Sequence, residues 1–264
     1  METPMDHNVS GLLGEVRGPV VYWTLNRPEK RNALSRSLLC EMEEAQKRVA
    51  ADAAVRIVVV AGAGSAFCAG HDLSEMTGRT EEDYRDLFAL CARVMLGFRR
   101  LPQPVLARVH GTATAAGCQL VAACDLAIAA EEATFATPGV HIGLVCATPL
   151  VPLMRAVSPK VALEMVLTGQ PITAQRALAA GLVNRVVSSA ELDAVVQQYV
   201  AALLAAAPLS LRLGKRAFYD QRTLDEATAY ERAVEVFTQN ALSRDAQEGI
   251  AAFLHKRPPV WRDE

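Results

Sequence analysis

The stretch VHGTATAAGCQLVAACD, residues 109–125, carries more chemical information than any other part of the chain. It closes an apolar run from Val105 to Val109 and turns at His110 and Gly111. A segment of small residues follows and predicts a buried helix, so the order is strand, turn, helix start. The first amides of such a helix have no partner within it and lie at the positive end of its dipole. Ala115, Ala116 and Gly117 stand there, with side chains small enough to let a ligand approach the backbone. Gln119, three residues beyond Ala116, projects from the same helix face. One backbone amide and one side chain are therefore expected to converge.

Upstream, VVYWTL (20–25) is β-branched and aromatic and ends before Pro28, which predicts a strand. Ser35 is placed to cap a helix in which Leu38, Leu39, Met42, Ala45 and Val49 recur at helical spacing. IVVVAG (57–62) reads as a buried strand, and a helix from about Glu81 to Arg100 ends before Pro102 and Pro104. Downstream, Asp125 to Ala129 and Ala133 to Ala136 predict short strands. Ser158 with Pro159, closed by Gly169, brackets one helix, and Thr173 with Gly181 brackets another. Leu182 to Val187 is expected to be the last strand. An alanine-rich helix runs to about Ala207, and past Pro208 the pattern is helical only. Alternating strands and helices with short connections indicate an α/β layered core with a helical C-terminal piece.

The chain has 264 residues, 51% of them hydrophobic, enough to bury a large core. A formal charge of -2 argues against a nucleic-acid binder. The six cysteines form no CxxC pair, which speaks for reduced thiols and against a zinc site. METPMDHNVS at the N-terminus has neither a signal-peptide nor a transit-peptide pattern, and no apolar run reaches the eighteen or so residues of a membrane span. The expectation is a soluble, cytoplasmic protein without a membrane span.

Four blocks together resemble the enoyl-CoA hydratase/isomerase (crotonase) superfamily: LNRPEKRNAL (25–34), GSAFCAGHDL (64–73), the stretch 109–125, and EGIAAFLHKRPPVW (248–261). The AAGCQL and FATPG variants resemble the enoyl-CoA hydratase domain-containing protein 3 type branch, and the chain is expected to be without the targeting extensions of that branch's mitochondrial members. The resemblance implies an α/β fold: a crotonase-type spiral of ββα units over residues 1–207, then a helical trimerisation region over 208–264. It also implies a homotrimer or a hexamer built as a dimer of trimers. The ligand implied is an acyl-CoA thioester, with coenzyme A entering as part of the substrate and no other cofactor. Its carbonyl oxygen would lie between the amides of His71 and Ala116, within a site that includes Ala69, Gly70, Asp72 and Leu73. Lys30 and Arg31 would lie near the CoA phosphates, and Phe253 and Lys256 would reach a neighbouring subunit's CoA nucleotide. A solvated basic turn and a surface lysine are the plainer readings of these cations.

The sequence departs from the family's hydratases at the two positions where the resemblance places catalytic glutamates. Gln119 stands at the first and Gly139 at the second, in FATPGVHIGL; an acidic position of some isomerases falls on Ala147. An amide orients water but does not take its proton near neutral pH. His71 has the chemistry to substitute, against the reading that only its backbone matters. His141 reads as a structural hydrogen-bonder, Cys118 and Cys146 as small hydrophobes, and Asp72 and Asp125 as supports for a turn and a strand start. Three functions stay open: an enzyme that stabilises a thioester enolate, an acyl-CoA-binding protein without turnover, and an oligomerisation subunit.

Overall fold

Apolar runs alternating with amphipathic helices build two sheets wound by one repeating unit. The computed structural model describes residues 11–264, so METPMDHNVS lies outside the described residues. β1 (Leu12–Arg17) and β2 (Val20–Leu25) form an antiparallel hairpin. Helix α1 (Arg36–Ala51) follows, capped by Ser35, whose side chain accepts from the Leu38 N–H. Strands then come in pairs. β3 (Ile57–Gly62) and β4 (Ala66–Cys68) precede α2 (Glu81–Arg100), and β5 (Val105–Val109) and β6 (Thr112–Thr114) precede α3 (Ala116–Ala123). β7 (Leu126–Ala130) and β8 (Thr134–Ala136) precede a short 3-10 turn, Pro138–Ile142, and α4 (Ala147–Ala156). Next come α5 (Pro159–Thr168), β9 (Ile172–Thr173), α6 (Ala174–Ala180) and β10 (Arg185–Val187).

The first strand of each pair joins a six-stranded sheet ordered β1-β2-β3-β5-β7-β10, and the second joins a four-stranded sheet ordered β4-β6-β8-β9. Within each sheet the paired strands of successive units run parallel. This is the spiral of ββα units that the resemblance implied. Parallel sheets need both faces covered, and β3 shows how: Val58 and Val60 enter the main core with α1 and α2, while Ile57 and Val59 pack on α7 (Leu192–Ala205). Three further helices end the chain: α8 (Pro208–Gln221), α9 (Glu226–Ala241) and α10 (Arg244–Leu254). No single helix among the described residues is long and apolar enough to cross a membrane.

A buried charge pair docks α8 on the core. Lys215 Nζ lies 2.7 Å from an Asp125 carboxylate oxygen and donates to the Phe98 and Gln103 carbonyls, while the Tyr219 hydroxyl donates to Asp125 at 2.9 Å. The same carboxylate accepts the Val105 N–H, so Asp125 supports a strand start as expected. Burial pushes the Asp125 carboxyl up and the Lys215 ammonium down, and their mutual attraction opposes both shifts.

Several sequence expectations need correction. The segment after Gly111 does not pass directly into a helix, because Thr112–Thr114 first pairs with β4 and β8 as strand β6. The last strand is shorter than Leu182 to Val187, since the Asn184 side chain accepts the Ala127 N–H and takes a ladder position. Ser158 stands at the start of α5 but makes no capping hydrogen bond with its side chain. Strand β1 carries no apolar pattern in the sequence because most of it lies exposed at the sheet edge.

Candidate active site

Two segments meet at the N-terminal end of α3. In the first, residues 69–72 are held by a bridge to the loop before α1. The Leu34 N–H donates to the Gly70 carbonyl at 2.7 Å and the Asp72 N–H donates to the Leu34 carbonyl at 3.1 Å. Gly70 and Asp72 therefore spend their polar groups on Leu34, and the alternation of extended backbone turns the His71 N–H the other way. In the second segment, the Ala115 N–H donates to the Ala136 carbonyl and the Ala115 carbonyl accepts from Gln119. Ala116 opens the helix with no intrahelical acceptor for its amide. Among the described residues neither the His71 nor the Ala116 amide donates to a backbone carbonyl.

Glycine makes their approach possible. A Cβ on Gly70, at φ +92°, would stand 2.8 Å from Ala115 Cβ and 3.2 Å from the Ala116 nitrogen. One on Gly117 would stand 2.1 Å from the Cys68 carbonyl oxygen. Ala115 itself holds φ +49° and ψ −117°, a conformation that favours glycine and costs an alanine of order 1–3 kcal/mol.

A cavity of about 600 Å³ opens in front of these amides. Of the residues singled out in the sequence, Lys30, Ala69, His71, Asp72, Leu73 and Ala116 line it, with Gly139, His141 and Cys146 on the far wall. Gly70 sits behind the wall as the contact just described. Arg31 is exposed and is not among the lining residues, nor are Phe253 and Lys256 at the exposed end of α10. Gln119 does not line the cavity either, so the expected convergence of its side chain with the Ala116 amide is not seen. All eight residues of α3 are buried, and Gln119 lies almost one turn deeper than Ala116. Its carbonyl oxygen has no hydrogen-bond partner, a condition shared by the Thr137 hydroxyl beside the cavity wall.

The loop carrying Lys30 is clamped from beneath. Asn32, wholly buried, donates to the Ala63, Ala66 and Phe67 carbonyls, and Arg27 pairs with Asp72 at 2.9 Å. Asp72 also accepts from Ser74, which is the leading cause of its lowered pKa, so it supports a turn as expected. Its carboxylate is fully engaged.

His71 is held differently. Its ring meets Phe88 edge-on at 5.6 Å between centroids, Nε2 is buried without a partner, and burial lowers its pKa to about 4. The imidazole is neutral at pH 7. His141 Nε2 lies 2.8 Å from the Thr168 carbonyl oxygen, the structural bond expected of it. Burial pushes the Cys118 thiol up to about 12 and raises that of Cys146, so both behave as small hydrophobes. Sequence reasoning missed the wall residues Met76, Phe88 and Val145, whose apolar character alone does not separate cavity lining from core.

At the position matched to the second hydratase glutamate, the space is filled. A Cβ on Gly139 would stand 2.8 Å from the Leu144 carbonyl oxygen and 2.9 Å from the Cys146 sulfur. Ala147 begins α4. Among the described residues, then, the cavity wall carries the tied carboxylate of Asp72, the buried imidazole of His71, the imidazole of His141 bonded to Thr168, and the two amides without backbone acceptors.

The family model described as enoyl-CoA hydratase/isomerase matches residues 15–264. Human enoyl-CoA hydratase domain-containing protein 3, mitochondrial, is 44% identical over 241 residues, covering 91% of this chain and 80% of that one. The 2,3-dehydroadipyl-CoA hydratase of Escherichia coli (strain K12) is 36% identical over 250 residues, covering 92% and 95%. Among solved structures, an enoyl-CoA hydratase of Mycobacterium smegmatis superposes with a TM-score of 0.94 at 47% identity, covering 95% and 98%. The human domain-containing protein 3 does so with a TM-score of 0.92 at 42% identity, covering 95% and 100%. The human, rat and mouse relatives are mitochondrial proteins by name, which overturns the cytoplasmic expectation.

Proposed function

The chain belongs to the enoyl-CoA hydratase/isomerase family, and from that premise we propose that it binds an acyl-CoA with the thioester oxygen between the His71 and Ala116 amides. The observation that carries this reading is the pair of amides without backbone acceptors at one end of a mainly apolar cavity. Removal of an α-proton, or attack on an enoyl thioester, puts negative charge on that oxygen. Preorganised donors aimed at it stabilise the transition state, and losing one costs roughly 2.7–4 kcal/mol. In this reading Lys30, which lines the cavity, and Arg31 beside it in the chain meet the CoA phosphates, and coenzyme A enters only as part of the substrate.

Hydration needs a base and an acid, and neither Gln119 nor Gly139 supplies one. A neutral His71 with a free Nε2 can accept a proton, but a pKa near 4 makes it a weak base. This favours a reaction that rests on thioester polarisation, with His71 as the proton acceptor if one is needed. The engaged state of Asp72 gives a second reading its footing: an acyl-CoA-binding protein that retained the cavity and lost proton transfer.

Residues 208–264 supply the proposed oligomerisation surface. Tyr230, Val234 and Phe237 are exposed on one face of α9 at helical spacing, and Phe253 and Leu254 are exposed at the end of α10, as a homotrimer would require. In such a trimer Phe253 and Lys256 would serve a neighbour's CoA rather than this chain's.

The test is loss of the conjugated absorbance of crotonyl-CoA, run beside CoA binding by calorimetry. Binding with turnover that collapses in Ala116→Pro supports the enzyme; helix starts accept proline, and circular dichroism checks the fold. Turnover unchanged in that folded variant would sink the oxyanion assignment. Binding without reaction across a panel of thioesters selects the second reading, and no CoA binding removes both.

A further inference from the structure

Helix α3 has a second end. The helix is eight residues long, roughly 12 Å, from Ala116 at the acyl cavity to Ala123. Beyond the C-terminal end lies another cavity, of about 250 Å³, that shares no lining residue with the first. Arg99, Arg155 and Arg222 line it, from the C-terminal ends of α2, α4 and α8. A wider cleft of about 790 Å³ shares these three arginines and adds Arg100, Arg212, Lys215 and Arg216, with Asp220 as its carboxylate.

Among the described residues no carboxylate forms an ion pair with Arg99, Arg155 or Arg222, and Asp220, which also lines the wider cleft, pairs with Arg216. Asp125 is the carboxylate on the smaller cavity, and it is committed to Lys215, the Val105 amide and Tyr219. The partners of the arginines are backbone carbonyls at helix ends and aromatic faces. Arg99 donates to Ala122 at a long 3.4 Å and stacks on Tyr219 at 5.3 Å. Arg155 donates to Val151, and Arg222 donates to the Arg155 carbonyl and stacks on Phe218. Helix C-termini attract cations, which explains why the arginines rest there without an acid. It does not exhaust them, since each guanidinium has five N–H donors, and Arg99 Nε is buried with no acceptor.

We propose that this cleft binds a phosphoryl anion, with Arg99, Arg155 and Arg222 as donors. A tetrahedral dianion presents several acceptor oxygens to converging forks, whereas one carboxylate would engage a single fork. The smaller cavity has room for one phosphoryl group, and the wider cleft leaves space for the rest of a phosphate ester. The site is separate from the proposed CoA position and does not depend on it.

Calorimetric titration of the full-length protein with inorganic phosphate, against chloride at equal ionic strength, tests the assignment. Binding that persists at saturating CoA and weakens at least tenfold in Arg99→Gln/Arg222→Gln is expected. Lys30→Gln should leave phosphate affinity within twofold of the parent. Phenyl phosphate distinguishes the sources: tighter binding than phosphate assigns an ester, equal binding assigns the free anion, and both support the site. No phosphate binding, displacement by CoA, or an unaltered affinity in the folded double variant overturns it. So does a double variant whose oligomer dissociates in a protein that never bound phosphate, because a second copy's carboxylate then fills the cleft.

Discussion

Gln119 and Gly139 stand at the two positions where the family resemblance places a hydratase's carboxylates, and the molecule treats them in opposite ways. Gln119 keeps the length and branching of a glutamate and lies buried in α3 with its carbonyl oxygen unbonded. Gly139 has no side chain, and the volume a side chain would need is occupied by the Leu144 carbonyl and the Cys146 thiol. At the first position only the chemistry differs. At the second the backbone itself has closed over the place. Restoring a glutamate is thus a one-atom change at 119 and a rebuilding of the 138–146 segment at 139.

The largest expected effect follows from that difference. Gly139→Glu should lower the unfolding free energy by about 3 kcal/mol or more, since it overpacks a closed site and buries a charge. A urea midpoint within 0.3 M of the parent would break the contrast between the positions. His71 comes next. Its pKa is lowered by burial from the ordinary 6.5 to about 4, so the unfolded chain binds a proton that the folded chain refuses. The stability carried by the neutral ring is present above pH 6.5 and is lost as pH falls toward 4, by up to about 3 kcal/mol. His71→Phe should flatten the fall between these pH values relative to the parent, and parallel stability curves would show the ring to be accessible to protons after all.

Gln119→Glu should cost somewhat less, about 2–3 kcal/mol at pH 7, because the shape is kept but an unpaired carboxylate must be buried or take up a proton. With crotonyl-CoA it should leave hydration within about twofold of the parent, because a carboxylate that does not line the cavity is out of reach of the reacting proton. A gain of about tenfold or more in the folded variant would show that position 119 reaches the cavity after substrate binds. The smallest effect belongs to Ala115, whose methyl sits at a backbone angle suited to glycine. Ala115→Gly should stabilise by about 1 kcal/mol, strain relief exceeding the entropy that glycine adds to the unfolded chain. A lower melting temperature would show that the methyl's packing against Gly70 outweighs the strain.

Much of this architecture was legible in the sequence where the signal was long or chemically marked. The helix from Glu81 to Arg100, the Ser35 and Thr173 caps and the β3 run follow from periodicity and capping chemistry, which depend on neighbours within a turn or two. Strand β6 was not legible, because three residues carry no period and are made a strand by the partners on either side. In the site, Ala116 and His71 could be singled out by the blocks around them. The Asn32 clamp, the unbonded state of Gln119 and the wall of Phe88, Met76 and Val145 could not, since each depends on segments far apart in the chain.

By itself the sequence determined the periods, the caps, the glycines that permit close approach, and which side chains can or cannot move a proton. All of these are properties of a residue and its covalent neighbourhood. Tertiary structure alone decided that two backbone amides separated by 45 residues face one cavity, that Gly139 has no room to be anything else, and that three arginines meet at the far end of α3. Such facts arise from packing between elements, where a distance of a few tenths of an ångström changes what a group can do, and no local pattern encodes that distance.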